Sequence, residues 1–213
     1  MNKIKILYDQ YGMGIITRLV KSSLLRFGLV YETLYLFKKE INADDISKRL
    51  KQYDYSVVKQ LTLIDFDYCE FVSVEKKLLF KKRLESLDYK AFGIFKDMKL
   101  VYYSWISLKS ISLPFNFKKT FILDETEALL EDSFCDPNYR GRGYHSMVNI
   151  VRLKMVLEKG KKNAIVTVLA GNKPAIRVQK KSGFIITKKI KLFRVLNKEI
   201  IKYTSINYGN IIT

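Results

Sequence analysis

Apolar residues near the start of the chain recur at helical spacing. Between Gly12 and Phe27, apolar positions are separated by basic and small polar residues. This pattern predicts an amphipathic helix with a cationic face. Such a helix either lies on a membrane surface or packs on its own domain, and base rates favour packing.

The rest of the chain alternates between strand-like and helix-like patterns. The aromatic run Leu29–Lys38 predicts a strand, and Asp44–Tyr53 predicts a short helix with Asn42 or Asp44 as its N-cap. From residue 57 the predicted order is strand, helix, β-hairpin, strand, helix, strand, helix, strand and strand, which is typical of an α/β protein with a mixed sheet. These elements are Val57–Ile64, Glu70–Leu87, Tyr89–Phe95 with Leu100–Leu108, Ala128–Cys135, His145–Glu158, Ala164–Leu169, Ala175–Ser182, Phe184–Val195 and Glu199–Ile206.

Charge is the most unusual property of the composition. The 213 residues include 39 Lys and Arg against 21 Asp and Glu, a formal net charge of +18. A basic surface attracts anions such as nucleic acid, an acidic membrane, or a phosphorylated substrate or cofactor. Many of the lysines are scattered, which a solvated surface explains equally well. Charge alone therefore identifies no partner.

The chain offers little material for a metal site. Cys69 and Cys135 are far apart, and His145 is the only histidine. We therefore expect no metal, and reduced cysteines in a cytoplasmic protein. Because neither a signal peptide nor an uncharged apolar stretch of about eighteen residues is evident, we expect no membrane-spanning helix.

The sharpest local signal is the segment CDPNYRGRGYH, between a predicted strand and a predicted helix. Gly141 and Gly143 allow close approach of a ligand and conformations barred to other residues. Successive backbone N–H groups can then converge on an anion at the positive end of the helix. Arg140 and Arg142 add charge suited to a pyrophosphate. A Walker A ending and a third dinucleotide-motif glycine are both missing, and a tight strand-to-helix turn explains the glycines equally well.

Further residues place this loop in a longer pattern. A proline precedes the loop, and an Asn-x-x-Ala segment and a Gly-Phe pair follow the next helix and strand. This arrangement resembles the motif of the GNAT superfamily of N-acetyltransferases, over about Val57 to Ile206 and most strongly from Ala128 to Phe184. The residues that carry the resemblance are Cys135, Pro137, Arg140, Gly141, Gly143, Asn172, Ala175, Gly183 and Phe184.

The resemblance implies a fold and a domain organisation. The expected fold class is α/β, with a GNAT-like mixed, mostly antiparallel central sheet flanked by helices. Residues 56–213 would form the acyltransferase domain. Residues 1–55 would form an N-terminal helix-plus-strand extension packed on the core.

The resemblance also implies acetyl-CoA or another acyl-CoA as donor. The backbone of Arg140–His145 would bind the pyrophosphate. The pantetheine arm would enter a gap where the strand ending at Cys135 splays from the strand Ala164–Leu169. Asn172 would contact the pantetheine or orient its loop, although a turn or cap role explains it equally well. The implied cofactor-binding residues are Phe134, Cys135, Arg140, Gly141, Arg142, Gly143, Tyr144, His145 and Asn172.

Two positions depart from the family pattern. His145 stands where the loop usually ends in a small residue, and its side chain would crowd the pyrophosphate, donate to it or simply be tolerated. A neutral base is a further reading, because a helix N-terminus disfavours imidazolium. Gln179 stands where many members carry a tyrosine thought to protonate the leaving thiolate. Tyr103, Tyr139, Tyr144 or solvent would then supply that proton.

Candidate catalytic and acceptor-binding residues lie on the predicted strands. Glu131 and Asp132 are candidate bases, because an aliphatic ammonium must lose a proton before it attacks. Their side chains point to opposite faces unless a β-bulge intervenes, and solvated or salt-bridged carboxylates explain them equally well. Tyr144 is a candidate catalytic acid. Tyr103 and Trp105 share a face of the hairpin and are candidate substrate-binding residues, although strand aromatics more often pack in a core.

The leading prediction is a cytoplasmic N-acyltransferase that moves an acetyl or short acyl group from acyl-CoA to a primary amine on a small molecule. The chain loosely resembles GNAT enzymes of bacterial surface-polysaccharide pathways, which makes a nucleotide-linked amino sugar the candidate acceptor. The alternatives are a non-catalytic CoA-binding regulatory module and a basic nucleic-acid-binding protein. No zinc finger or recognition motif supports nucleic-acid binding. A homodimer and peripheral membrane contact through residues 12–27 are left open.

Overall fold

The computed structural model describes residues 23–24, 26–52, 54–115, 117–196 and 198–206. The predicted helix Gly12–Phe27 therefore lies largely outside the described residues. The strands are β1 Val30–Glu40, β2 Val58–Gln60, β3 Tyr89–Lys96, β4 Lys99–Ser107, β5 Ser110–Ser112, β6 Thr120–Ile122, β7 Glu127–Cys135, β8 Asn163–Leu169, β9 Ile185–Val195 and β10 Lys198–Ser205. The helices are α1 Ala43–Leu50, α2 Val74–Glu85, α3 Tyr144–Glu158 and α4 Lys173–Lys181, with short 3₁₀ helices at Ile64–Tyr68 and Pro137–Tyr139.

Eight of these strands form one mixed sheet, in the order β10-β9-β1-β8-β7-β4-β3-β2. The pairs β9–β10, β2–β3, β3–β4 and β4–β7 are antiparallel, whereas β7 and β8 run parallel. Strands β5 and β6 form a separate antiparallel pair. The predicted fold class, a mixed and mostly antiparallel sheet flanked by helices, is confirmed.

The chain divides into two compact units. The described parts of residues 1–36, 168–182 and 186–213 form the first unit. Its β9–β10 hairpin is paired without interruption from Lys198↔Val195 to Ser205↔Lys188. Within the same unit the Thr33 carbonyl accepts a hydrogen bond from the Ala170 N–H at 2.8 Å.

Residues 37–167 and 183–185 form the second unit. Its centre is the β3–β4 hairpin, where Gly93 is required because a Cβ there would lie 2.6 Å from the Tyr102 carbonyl oxygen. The face of this hairpin toward α2 carries an aromatic core, and the rings of Phe66 and Trp105 stack with their centroids 5.6 Å apart. Phe80 of α2 packs on the same cluster and is fully buried.

Local signals place most helix ends correctly. The Asn42 side chain accepts from the Asp45 N–H and caps α1, as one of the two predicted caps. Gly160 follows α3 with φ +72°, the left-handed conformation expected of a terminating glycine. Among the described helices, none is long and apolar enough to cross a bilayer.

The predicted strand Val57–Ile64 was too long. Only Val58–Gln60 pairs in the sheet, and the chain then turns into the 3₁₀ helix Ile64–Tyr68. The Asp65 carboxylate accepts hydrogen bonds from both the N–H and the hydroxyl of Thr62. This local Asp–Thr turn competes successfully with strand pairing, and the alternating pattern does not reveal it.

Candidate functional site

The glycine-rich loop lies between β7 and α3 and takes left-handed backbone conformations. Asp136 starts it by accepting from the Asn138 N–H at 2.9 Å, which sets the 3₁₀ turn at Pro137–Tyr139. Gly141 and Gly143 both have φ +78°. A Cβ at either glycine would meet no protein atom within 4 Å, so the backbone angle, and not packing, requires glycine.

This loop presents the start of α3 without a side-chain cap. Gly143 is the N-cap residue and has no side chain with which to accept from the first turn. The first four N–H groups of a helix have no intrahelical acceptor, and they carry the positive end of the helix dipole. Arg140 and Arg142 are exposed beside them, and the Arg142 guanidinium lies 4.9 Å from the centre of the Tyr139 ring. The loop can therefore accept an anion.

Close to the glycine-rich loop, strand β7 also has backbone N–H and C=O groups that are not paired with β8. It pairs with β8 only from Glu127↔Asn163 to Leu129↔Ile165. The Asp136 N–H donates to the Val101 carbonyl of β4, and because peptide groups alternate along a strand, those of Cys135 point away from β4. The unpaired edge of β7 thus runs up to the glycine loop, as the predicted splay requires.

Asn172, the last predicted cofactor contact, lies in the first unit. Its side-chain oxygen accepts from the Ala175 N–H at 3.2 Å and caps α4. The cap explanation is therefore correct for its local role. Contact with a cofactor stays a prediction.

A polar cluster lies between β4, β7 and the start of α3. The Tyr102 hydroxyl is 2.9 Å from Nδ1 of His145, and the Ser104 and Ser133 hydroxyls are 2.6 Å apart. Beneath them the buried Arg152 donates to the Trp105 carbonyl oxygen at 3.1 Å. Burial, followed by the positive charge of Arg152, lowers the pKa of His145 to about 4. His145 is therefore neutral at physiological pH.

The opposite face of β7 carries the two predicted bases. Asp132 has φ +47°, and the β4–β7 register shifts between Tyr103 and Trp105, so a β-bulge separates Glu131 from the next paired residue. Because of the bulge both carboxylates contact Arg83 of α2, Asp132 at 2.9 Å and Glu131 at 3.4 Å. The conditional prediction that a bulge would bring them to one face is correct.

Glu131 is set apart from Asp132 by its burial. Its Oε1 atom is buried and has no hydrogen-bond partner. Burial raises the pKa of Glu131, and the adjacent Arg83 guanidinium opposes that shift. A carboxylate with a raised pKa and a free oxygen suits a general base.

The predicted acceptor residues lie inside the aromatic core. Tyr103 and Trp105 are fully buried, and both pack against Phe80. The Tyr103 hydroxyl accepts from Lys76 Nζ at 3.2 Å, and burial raises the pKa of this tyrosine. Tyr144 is buried as the first residue of α3. Substrate contact by Tyr103 and Trp105, and an acid role for Tyr144, stay predictions.

Sequence reasoning missed the partners that organise both clusters. Arg83 and Lys76 belong to a helix with several basic residues, and nothing in the pattern singles them out. Because neighbouring residues of a strand point to opposite faces, the sequence predicts that Tyr102 and Tyr103 lie on different faces of β4. It does not predict the hydrogen bond between Tyr102 and His145. Among the described residues, no group of three or more His, Cys, Asp or Glu side chains is arranged to hold a metal ion.

Comparison with known proteins identifies the fold. A crystal structure from Novosphingobium aromaticivorans, assigned to the GNAT family of acetyltransferases, superposes with a TM-score of 0.56 at 12% identity, covering 84% of this chain and 69% of the other. The fold is therefore GNAT-like. A functionally unknown conserved protein from Staphylococcus epidermidis also superposes, with a TM-score of 0.54 at 11% identity and coverage of 84% of this chain and 68% of the other. No protein-family model matches the sequence. No curated protein matches it either.

Proposed function

We propose that this protein is an N-acyltransferase that moves an acetyl or other short acyl group from acyl-CoA to a primary amine. The observation that carries the proposal is the left-handed glycine loop at the uncapped start of α3, next to the unpaired edge of β7. A loop of exposed N–H groups suits a pyrophosphate, and an unpaired strand edge suits the amide groups of pantetheine.

Different groups of the chain would bind the pyrophosphate and the pantetheine arm of acyl-CoA. The backbone of Arg140–His145 would hold the pyrophosphate, with the guanidinium groups of Arg140 and Arg142 adding charge. The peptide groups of Cys135, which point away from β4, would hydrogen-bond the pantetheine arm, and Phe134 would contact it from the adjacent position of the strand. Acyl-CoA, when bound, supplies an activated thioester carbonyl. The absence of protein atoms around a Cβ at Gly141 or Gly143 supports this fit.

Glu131 is the proposed base. An ammonium acceptor must lose a proton before its nitrogen attacks the carbonyl, and a buried carboxylate with a raised pKa accepts one readily. Asp132 lies closer to Arg83 and is more exposed, so it serves as the second candidate. The leaving thiolate must gain a proton, for which Tyr103, Tyr139, Tyr144 and solvent are the candidate donors.

The test is acyl transfer by the full chain, measured as thiol release from acetyl-CoA with a panel of amines. Replacing the base, Glu131→Gln, should lower kcat/KM by roughly 10²- to 10⁴-fold and leave CoA affinity unchanged. The exposed Glu125→Gln is the matched control. Wild-type protein that binds no CoA would contradict the proposed function, whereas an active Glu131→Gln variant would contradict only the role of Glu131.

We further propose a nucleotide-linked amino sugar as the acceptor. The net charge of +18 supports an acceptor that carries phosphate. Nucleotide amino sugars should then be acylated with lower KM than the same sugars without the nucleotide. No transfer to any of them would contradict this assignment. We also propose a cytoplasmic location, whereas a homodimer and membrane contact through residues 12–27 stay open alternatives.

A second candidate function is CoA binding without catalysis. It is supported by Gln179, which lies in α4 where the resemblance expects a tyrosine. Calorimetry that shows tight CoA binding, together with no turnover on any amine, would favour it. Nucleic-acid binding rests on charge alone, and the lack of salt-sensitive retention on DNA or RNA would remove it.

A further inference from the structure

Tyr102 and His145 form the only hydrogen bond that the described structure gives to the imidazole ring. The tyrosine oxygen lies 2.9 Å from Nδ1, and the tyrosine side chain is 1% exposed. Tyr102 is fixed by strand pairing with Ile94 on one side and Cys135 on the other. The ring of His145 is therefore held from its Nδ1 side by a rigid part of the sheet.

The second ring nitrogen is left accessible. Nε2 bonds to no described residue, and it is not among the buried unbonded polar atoms of the described residues, which are Trp105 Nε1, Glu131 Oε1 and Arg152 Nε. His145 is the second residue of α3, directly after the uncapped turn at Gly143. Nε2 therefore lies at the start of α3, where the pyrophosphate is proposed to bind.

Two tautomers of a neutral imidazole compete, since one nitrogen donates and the other accepts. The Tyr102 hydroxyl lies 2.9 Å from Nδ1, and donation from the phenol O–H to this nitrogen is the favoured direction because a neutral imidazole nitrogen accepts a hydrogen bond better than a phenol oxygen does. Burial, followed by the positive charge of Arg152, lowers the pKa of His145 and so disfavours a second ring proton. An imidazole that accepts at Nδ1 carries its proton on Nε2.

We propose that Tyr102 is a positioning residue that holds His145 in the Nε2–H tautomer, so that the ring donates a neutral hydrogen bond to a phosphate oxygen of the CoA pyrophosphate. The phosphate part rests on the proposed function, whereas the tautomer does not. His145 then replaces a small loop residue by a donor that adds no charge. The charged contacts come from Arg140 and Arg142.

The tautomer can be read directly, because His145 is the only histidine in the chain. Long-range ¹H–¹⁵N spectra of the full protein at neutral pH should show Nδ1 unprotonated and Nε2 protonated. Tyr102→Phe should shift both nitrogens toward a mixture of tautomers. Tyr103→Phe, which removes the neighbouring hydroxyl on the opposite face, should leave the imidazole spectrum unchanged. A wild-type spectrum with the proton on Nδ1 overturns the proposal.

The phosphate contact is tested by calorimetry with CoA and with pantetheine, which lacks the pyrophosphate. Tyr102→Phe and His145→Ala should each weaken CoA binding by about 5- to 10-fold, as for one lost hydrogen bond. The double variant should lose no more than His145→Ala, since both changes remove one interaction. His145→Gln, whose amide nitrogen can replace Nε2–H, should recover most of the affinity.

The outcomes separate this proposal from the proposed function. Pantetheine affinity should be equal in all variants, and additive losses in the double variant would overturn the coupling of Tyr102 to His145. Unchanged CoA affinity in folded His145→Ala, checked by circular dichroism, would overturn the phosphate contact while leaving acyl transfer intact. Wild-type protein that binds no CoA would contradict the proposed function and the phosphate contact together, and the imidazole spectrum would still decide the tautomer.

Discussion

The two faces of the β4–β7 strand pair carry different chemical groups, although the residues that supply them are adjacent in the chain. Toward α3, Tyr102, Ser104 and Ser133 form a hydroxyl cluster around a neutral histidine. Toward α2, Glu131 and Asp132 form ion pairs with Arg83 against an aromatic core. One face thus offers hydrogen bonds without a change of charge, and the other can exchange a proton.

The difference follows from the alternation of side chains and from one bulge. Tyr102 and Tyr103 are neighbours in the chain, yet their hydroxyls contact His145 and Lys76 on opposite faces. Without the bulge at Asp132, strict alternation would place the two carboxylates on different faces. The bulge therefore concentrates acidic charge on the α2 face and keeps the α3 face free of carboxylates from this segment.

The largest expected effect comes from exchanging the arginine of each face for methionine. Arg83→Met leaves the buried Glu131 without its ion-pair partner, whereas Asp132 keeps Lys76 at 3.5 Å, and the change should cost about 3–5 kcal/mol of unfolding free energy. Arg152→Met removes a buried arginine that makes no ion pair with a described carboxylate, and should change stability by no more than about 1–2 kcal/mol. Urea denaturation of both variants provides the measurement. Equal losses of unfolding free energy in the two variants would mean that an arginine is needed to the same extent on both faces.

The second effect is the pH dependence that His145 gives to stability. The pKa of His145 in the folded chain, about 4, lies below its ordinary value of 6.5. Between these two pH values the imidazole of the unfolded chain is protonated, whereas that of the folded chain is not. Stability should therefore fall as pH falls from about 6.5 to about 4, by up to about 3 kcal/mol. The difference in unfolding free energy between wild type and His145→Gln isolates this contribution. A difference that does not change with pH would place His145 in a solvated environment.

The local structure on the α3 side could be predicted well from the sequence. The glycines at 141 and 143, the strand ending at Cys135 and the helix after the loop all leave local signals. Left-handed turns need glycine, and helices and strands have their own apolar periods. These features depend on neighbours in the chain, which a single sequence contains.

The α2 side depended on long-range contacts and was less predictable. Arg83 reaches Glu131 across 48 positions of sequence, and the many basic residues of α2 give no reason to choose it. The bulge at Asp132 is caused by register with β4, which the sequence of β7 alone does not specify. Likewise, the aromatic residues Tyr103 and Trp105 fit either a pocket or a core until their partner Phe80 is placed.

The smallest predicted effect concerns the link between the two faces. The buried Ser104 hydroxyl donates to the Glu131 carbonyl at 3.4 Å and lies 2.6 Å from the exposed Ser133 hydroxyl, so it spans the bulge. Ser104→Ala should cost only about 0.5–1 kcal/mol, because Ser133 can turn to water and the first contact is long. Urea denaturation measures this cost, and the raised pKa of Glu131 should persist. A loss above about 2 kcal/mol, with a normal Glu131 pKa, would show that this hydroxyl maintains the bulge and that the α2 face depends on the α3 face.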